Sequence, residues 1–168
     1  MAEWHEGGCF CGAVRYHVRG MPVWKAGCTC NTCVKMHTAP LVVWAGFDRS
    51  NYELKSGEPK RFRSSPHVIR EFCSNCGSTL TYQKTADSAP ELAEAARLIY
   101  IAVASLDHPN AYPPDEIVHG QERFQWLNLD NSIPIRASIS PTSGHLQFGG
   151  IGHNHNTETA QKHLDQID

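Results

Sequence analysis

A mainly β domain with little helix is what this sequence predicts. Three observations carry the prediction: short strand-like runs recur between turn signals, helix signals are few, and seven cysteines gather into three tight groups. The runs come in order. Ala13-Val14-Arg15-Tyr16-His17-Val18 alternates apolar and polar before Gly20 and Pro22. Leu41-Val42-Val43-Trp44 is apolar and ends at Gly46, and Tyr52-Glu53-Leu54-Lys55 alternates before Ser56-Gly57. Lys60-Arg61-Phe62-Arg63 precedes Pro66. Val68-Ile69-Arg70-Glu71-Phe72 runs into one cysteine pair, and Thr79-Leu80-Thr81-Tyr82 runs out of it. Leu98 to Ala104 is apolar and β-rich, and Ile117-Val118-His119 reads as a further strand. Pro90 to Arg97 suits two helical turns, with Pro90 near the first helical position and acidic residues early; a long loop is the other reading. The division expected is a domain over 1–140 and a C-terminal tail over 141–168. Thr157 to Ile167 of that tail suits a short helix.

Bulk properties exclude several classes. At 168 residues the chain has the length of one ordinary domain, and at 40% hydrophobic it has enough apolar material for a core. Its formal charge of −2 gives no basic field for nucleic acid or an anionic membrane. The longest apolar stretch, near Ala39 to Phe47, contains Pro40 and is far short of the roughly 20 residues of a membrane span. The start, Met1 to Glu6, lacks the basic-then-apolar pattern of a secretory signal. The expectation is a soluble, cytoplasmic protein.

An odd number of cysteines without a signal argues against a secreted disulfide framework. In a reducing compartment, clustered thiols more often hold metal. The groups are Cys9-Phe10-Cys11, Cys28-Thr29-Cys30-Asn31-Thr32-Cys33 and Cys73-Ser74-Asn75-Cys76, with Gly12 and Gly77 directly after two of them. Thiolates two or three positions apart reach one ion only if the backbone turns tightly, which glycine permits. Tetrahedral zinc takes four such ligands. Two pairs, Cys9/Cys11 and Cys73/Cys76, suffice for one closed site. Cys28, Cys30 and Cys33 then supply three ligands and leave a fourth position for water or substrate, the pattern of a catalytic zinc. Spacing leaves a different partition open, with Cys28 and Cys30 joining another pair.

These groups resemble those of the glutathione-dependent formaldehyde-activating enzymes, whose domain is shared with centromere protein V. The resemblance runs from about Gly7 to Pro134. It includes Gly8-Cys9-Phe10-Cys11-Gly12 through Tyr16, the middle cysteine group, Ala39-Pro40, Gly57-Glu58-Pro59, Arg70 through Ser78, Ser105-Leu106-Asp107 and Val118-His119, with Trp126 and Pro134 in place. It implies a single β-tent domain of antiparallel sheets built around zinc. It further implies that Cys9, Cys11, Cys73 and Cys76 hold a structural zinc, and that Cys28, Cys30 and Cys33 hold a catalytic one. The implied activity is that of a carbon–sulfur lyase: the formation of S-hydroxymethylglutathione from formaldehyde and glutathione. The sequence departs from the family at Thr29, at Val34 and at Thr38, where a glycine is common.

Two zinc ions per chain are therefore expected, the exposed three-thiolate site losing its ion more readily. A zinc with three thiolates is a weak Lewis acid but suits capture of a soft thiol. The expected partner is a small thiol such as glutathione, with no nucleic acid and no membrane. The alternatives are a non-catalytic zinc-stabilised binding module and a redox-responsive thiol protein. His37 is the nearest candidate proton carrier in sequence. His119 is expected to anchor a strand and His67 to sit in a turn. Lys35, Arg61 and Arg70 are candidate contacts for an anionic thiol. Trp44 and Trp126 are expected in the core. His145, His153, His155 and His163 belong to the polar tail.

Overall fold

The computed structural model describes residues 3–87, 90–128 and 135–136. Among these, strands β1 (Trp4–Gly8), β2 (Arg15–Arg19) and β5 (Tyr52–Ser56) form a small antiparallel sheet in the order β1-β2-β5. The large sheet takes β3 (Trp24–Cys28), β4 (Val42–Asp48), β6 (Lys60–Ser65), β7 (Val68–Phe72), β8 (Thr79–Lys84), β9 (Leu98–Ala102), β10 (Glu116–Val118) and β11 (Ile135–Arg136). Its order is β11-β10-β3-β4-β9-β8-β7-β6. Neighbours are antiparallel except at β10, which runs parallel to both β3 and β11. A parallel pair needs a long connection, and the chain returns to β3 only after most of the sheet is built. The protein is mainly β, as the alternating runs predict.

Two buried clusters explain how the sheet is covered. Ala45 and Phe47 of β4 and Ile99 and Ile101 of β9 belong to one, with Tyr16 and Val18 of the small sheet. Val42 and Trp44 of β4 and Leu98, Tyr100 and Ala102 of β9 belong to the other. Successive strand residues point to opposite faces, so the clusters lie on opposite sides of the large sheet. That is why β9 reads as a continuous apolar run: all five of its residues are buried. Fully burying a side chain such as Phe47 or Leu98 contributes about 1.5–3 kcal/mol.

A bulge sets the lining of one face. Phe72 pairs with Thr79 and Glu71 with Thr81, leaving Leu80 as the extra residue. Leu80 joins the cluster under the small sheet, while Tyr82 packs against the opposite one.

Helix is short, as expected. α1 (Asn31–His37) follows β3, and a 3-10 turn at Pro90–Leu92 leads into α2 (Ala93–Ala96). No helix of the described residues is long and apolar enough to cross a membrane. The sheet extends as far as Arg136; the expected boundary near 140, the tail helix and the tail histidines lie outside the described residues.

Candidate functional site

Cys9 and Cys11 sit in the turn between β1 and β2, and Cys73 and Cys76 in the turn between β7 and β8. Their four sulfur atoms lie within 4.8 Å of one another. Gly12 at φ 75° and Gly77 at φ 76° close the two turns in the left-handed region, where a side chain costs roughly 1–2 kcal/mol. Their N–H groups donate to the carbonyls of Cys9 and Cys73, at 3.1 and 2.9 Å. The turns are tied together by Ser78, whose Oγ accepts from the Phe10 N–H at 3.1 Å.

The sulfur spacing fits a metal. A tetrahedral ion with Zn–S near 2.3 Å puts sulfurs about 3.8 Å apart. Cys9 Sγ is 3.5 Å from Cys11 Sγ, which is 3.8 Å from Cys73 Sγ. Hydrogen bonding prepares the donors: the Val14 N–H points at Cys9 Sγ at 3.3 Å, and the Ser78 hydroxyl holds the Cys76 thiol down to about 5. The sequence makes each turn; only the fold brings Cys11 against Cys73.

Cys28, Cys30 and Cys33 converge on the other face. Cys28 ends β3, Cys30 is the N-cap of α1, and Cys33 lies in its first turn. Their sulfurs also lie within 4.8 Å of one another, and among the described residues no fourth His, Cys, Asp or Glu completes the group. Cys30 Sγ accepts the Cys33 N–H at 3.4 Å, in the capping role usually taken by serine or aspartate. Cys33 is drawn down to about 3 by hydrogen bonds from Cys28 and then Cys30, with the Arg70 charge adding to them. Its partner Cys28 is pushed up, first by Cys30 and then by Cys33. Three thiols so close cannot hold three protons in comfort, and a cation in their place relieves the conflict. Both donor sets therefore fit zinc.

A cavity of about 260 Å³ opens beside the three sulfurs. Trp24, Trp44 and Tyr82 form its aromatic wall, with Arg70, Lys84 and His119 among the polar side chains. Tyr82 stacks on Tyr100 at 4.4 Å, and Trp44 meets Tyr82 edge-on at 4.6 Å. At the rim His119 Nδ1 lies 3.0 Å from Glu122 Oε1, and the other carboxylate oxygen accepts the Asn31 N–H at 3.0 Å. Thr29, fully buried, donates to the His119 carbonyl at 2.7 Å. One of the three departures from the family pattern therefore fixes the backbone of the rim histidine.

The structure sorts the remaining candidates. Arg70 lines the cavity, Lys35 is exposed on α1, and Arg61 pairs with Glu71 at 2.9 Å. His37 faces a second, larger hollow of about 720 Å³, which Cys9 borders but Cys28, Cys30 and Cys33 do not. His67 occupies the β6–β7 turn as expected. His119 follows β10 directly but at φ 58°, outside strand geometry. Trp44 is in the core at 1% exposure, whereas Trp126 is 67% exposed and stacks on Phe124 at 5.2 Å. The core assignment of Trp126 is thus overturned: it sits in a surface turn, closed by the Leu127 N–H on the Phe124 carbonyl at 2.9 Å, and among the described residues its ring stacks on Phe124. Sequence reading also missed Lys84 and Ser64, which the pairing of β6, β7 and β8 brings to the cavity, and Glu122, which the 3-10 turn after β10 brings there.

The sequence model of the glutathione-dependent formaldehyde-activating enzyme family matches residues 4–122. A crystal structure of a Rhodobacter sphaeroides protein is similar at a TM-score of 0.48 and 16% identity, over 78% of this chain and 99% of that one. No curated protein matches the chain.

Proposed function

The chain belongs to the glutathione-dependent formaldehyde-activating enzyme family, and from that membership and the geometry of its two cysteine clusters we propose a zinc-dependent carbon–sulfur lyase-type activity on the thiol adduct of an aldehyde. The observation that carries the reading is the count of sulfurs at the cavity: Cys28, Cys30 and Cys33 converge with no fourth His, Cys, Asp or Glu among the described residues. In this reading Cys9, Cys11, Cys73 and Cys76 hold a structural zinc, and Cys28, Cys30 and Cys33 a catalytic one. Zinc at the latter site supplies a lowered pKa to an incoming thiol while leaving its sulfur nucleophilic.

The chain's own groups do the rest. The aromatic wall of Trp24, Trp44 and Tyr82 limits water around the reacting atoms. His119, whose Nδ1 lies 3.0 Å from Glu122 Oε1, is the group assigned in this reading to take the thiol proton at Nε2 and return it to the aldehyde oxygen. The balance is simple: the S–H bond breaks and a sulfur–carbon bond forms, the carbonyl π pair moves onto oxygen, and the thiol proton ends on that oxygen as the alcohol O–H. Nothing is oxidised or reduced, and the reverse reaction retraces the same steps. Glutathione is the thiol the family description supports; formaldehyde is the aldehyde.

Metal content with site-resolved substitution tests the division. The wild type is expected to hold two zinc ions per chain. Cys30→Ser is expected to lose one and stay folded, and Cys73→Ser to lose the fold, because a structural zinc supplies folding energy. Identical behaviour of the two variants would discard it. Absence of heat on titrating millimolar glutathione into the two-zinc protein would discard the thiol chemistry.

A further inference from the structure

Arg70 is an unusual residue to find where it is. It sits in β7, 6% exposed, and its Nε donates to Ser64 Oγ at 3.1 Å. Nη1 is buried and meets no hydrogen-bond partner among the described residues. Among the described residues no carboxylate pairs with it. The guanidinium carbon lies 5.4 Å from the centre of the Tyr82 ring, and Arg70 lines the same cavity as the three cysteines. A buried guanidinium without a carboxylate is costly to keep. Among the described residues no group answers the donor at Nη1.

The cavity supports a second cation on the same side. Tyr82 and Lys84 are two apart on β8 and so share a face. They stand opposite Arg70 and Val68 of β7. Lys84 lines the cavity with Arg70. Glu122, the acid of that lining, already has one oxygen on His119 and the other on the Asn31 N–H. At about 260 Å³ the space falls just below the roughly 300–1,000 Å³ that encloses a drug-sized ligand. It encloses a small acid whole, and of a tripeptide such as glutathione only the thiol-bearing part.

We propose that Arg70, held by Ser64 and supported by Lys84, forms a carboxylate subsite, so that the cavity selects a small acidic ligand whose carboxylate meets Arg70 Nη1 while its sulfur or carbonyl end meets the three-cysteine centre. The selection of a thiol at that centre rests on the function proposed above; the carboxylate subsite itself does not. A fork-shaped donor reads a carboxylate where an alcohol or a neutral chain leaves it unanswered.

Calorimetric titration of the two-zinc protein with 3-mercaptopropionate, 2-mercaptoethanol and propionate tests this. The wild type is expected to bind 3-mercaptopropionate about ten- to a hundredfold more tightly than 2-mercaptoethanol, the discrimination typical of a charge-assisted contact. Arg70→Gln is expected to erase that preference while keeping its zinc content and its affinity for 2-mercaptoethanol. Equal binding of the two thiols by the wild type overturns the subsite, even if both thiols bind and the proposed function stands. Preference lost only together with zinc from the three-cysteine centre also overturns it, and makes Arg70 a counter-charge for that centre. Propionate that binds as tightly as 3-mercaptopropionate, and does so only with Arg70 present, supports the subsite while removing the thiol chemistry. Ser64→Ala gives the second variant: it removes the acceptor that orients Arg70, and a several-fold loss of preference is expected. An unchanged preference there, with Arg70→Gln unable to fold, counts against the proposal.

Discussion

His37 shows how placement can reverse the role suggested by sequence proximity. Four positions beyond Cys33, it is the nearest histidine to the open centre along the chain, yet it lines the larger hollow, while remaining close enough to feel the charges of Arg70 and Cys30. Its ring meets Trp44 edge-on at 5.0 Å, and Nε2 is buried without a partner. Burial first, and the Arg70 charge second, pull its pKa from 6.5 to about 4. Between those values the folded state binds fewer protons than the unfolded one. The stability associated with neutral His37 is therefore full above about 6.5 and falls as the pH drops toward 4, by about 1–2 kcal/mol at pH 5. His37→Gln escapes this term. Urea midpoints at pH 7 and pH 5 are expected to show the gap between wild type and variant narrowing or inverting at the lower pH. A constant gap would mean His37 titrates normally. Arg70 is the counterpart: three cations were equal candidates in the sequence, and burial singles out one.

Within elements, α1 explains why its sequence is hard to recognise. Its N-cap is a cysteine, its seven residues are too few for a periodic apolar stripe, and it ends at Thr38 with φ 48° and ψ 39°. A β-branched residue in the left-handed region is strained. The structure thus gives a physical reason for the glycine common at this point in the family. Thr38→Gly is expected to stabilise the fold by about 1 kcal/mol, read as a rise of a few degrees in melting temperature with zinc content unchanged. A fall in melting temperature would mean that the Thr38 hydroxyl, which donates to the His37 carbonyl at 2.8 Å, matters more than the strain. The strands β1 and β3 are missed for a related reason. Trp4-His5-Glu6-Gly7-Gly8 and Trp24-Lys25-Ala26-Gly27-Cys28 carry glycines and charge where β-branched residues would announce a strand; pairing with neighbours makes them strands regardless. By contrast β7 appears over the same residues that the sequence suggests, since its branched and aromatic run is bounded on both sides by turns.

For the whole molecule, the two cysteine centres perform different mechanical tasks. The four-cysteine cluster joins the β1–β2 turn to the β7–β8 turn, and so fastens the small sheet to the large one. The three-cysteine cluster is confined to the end of β3 and the start of α1. Amide exchange on the zinc-loaded protein should reflect this. Cys11→Ser, which opens the same centre as Cys73→Ser, is expected to unfold the domain, with protection lost in β1, β2 and β5 first, whereas Cys30→Ser leaves those strands protected. Loss of protection in all three strands on Cys30→Ser would show that the sheets are held together from the other face.

By itself the sequence determined the local matters: the mainly β character, the tight turns closed by Gly12 and Gly77, and three thiol groups each with the reach to share an ion. Those follow from alternation, backbone freedom and ligand spacing, all of which act within a few residues. The tertiary structure decided which thiols meet, since Cys11 and Cys73 are 62 residues apart and only sheet register brings them to 3.8 Å. It also decided that the two centres occupy opposite faces, because β4 and β9 lend alternate side chains to each core. And it decided that Arg70, one of many surface-like charges in the sequence, is buried beside the open cluster, where the pairing of β7 with β8 places it against Tyr82.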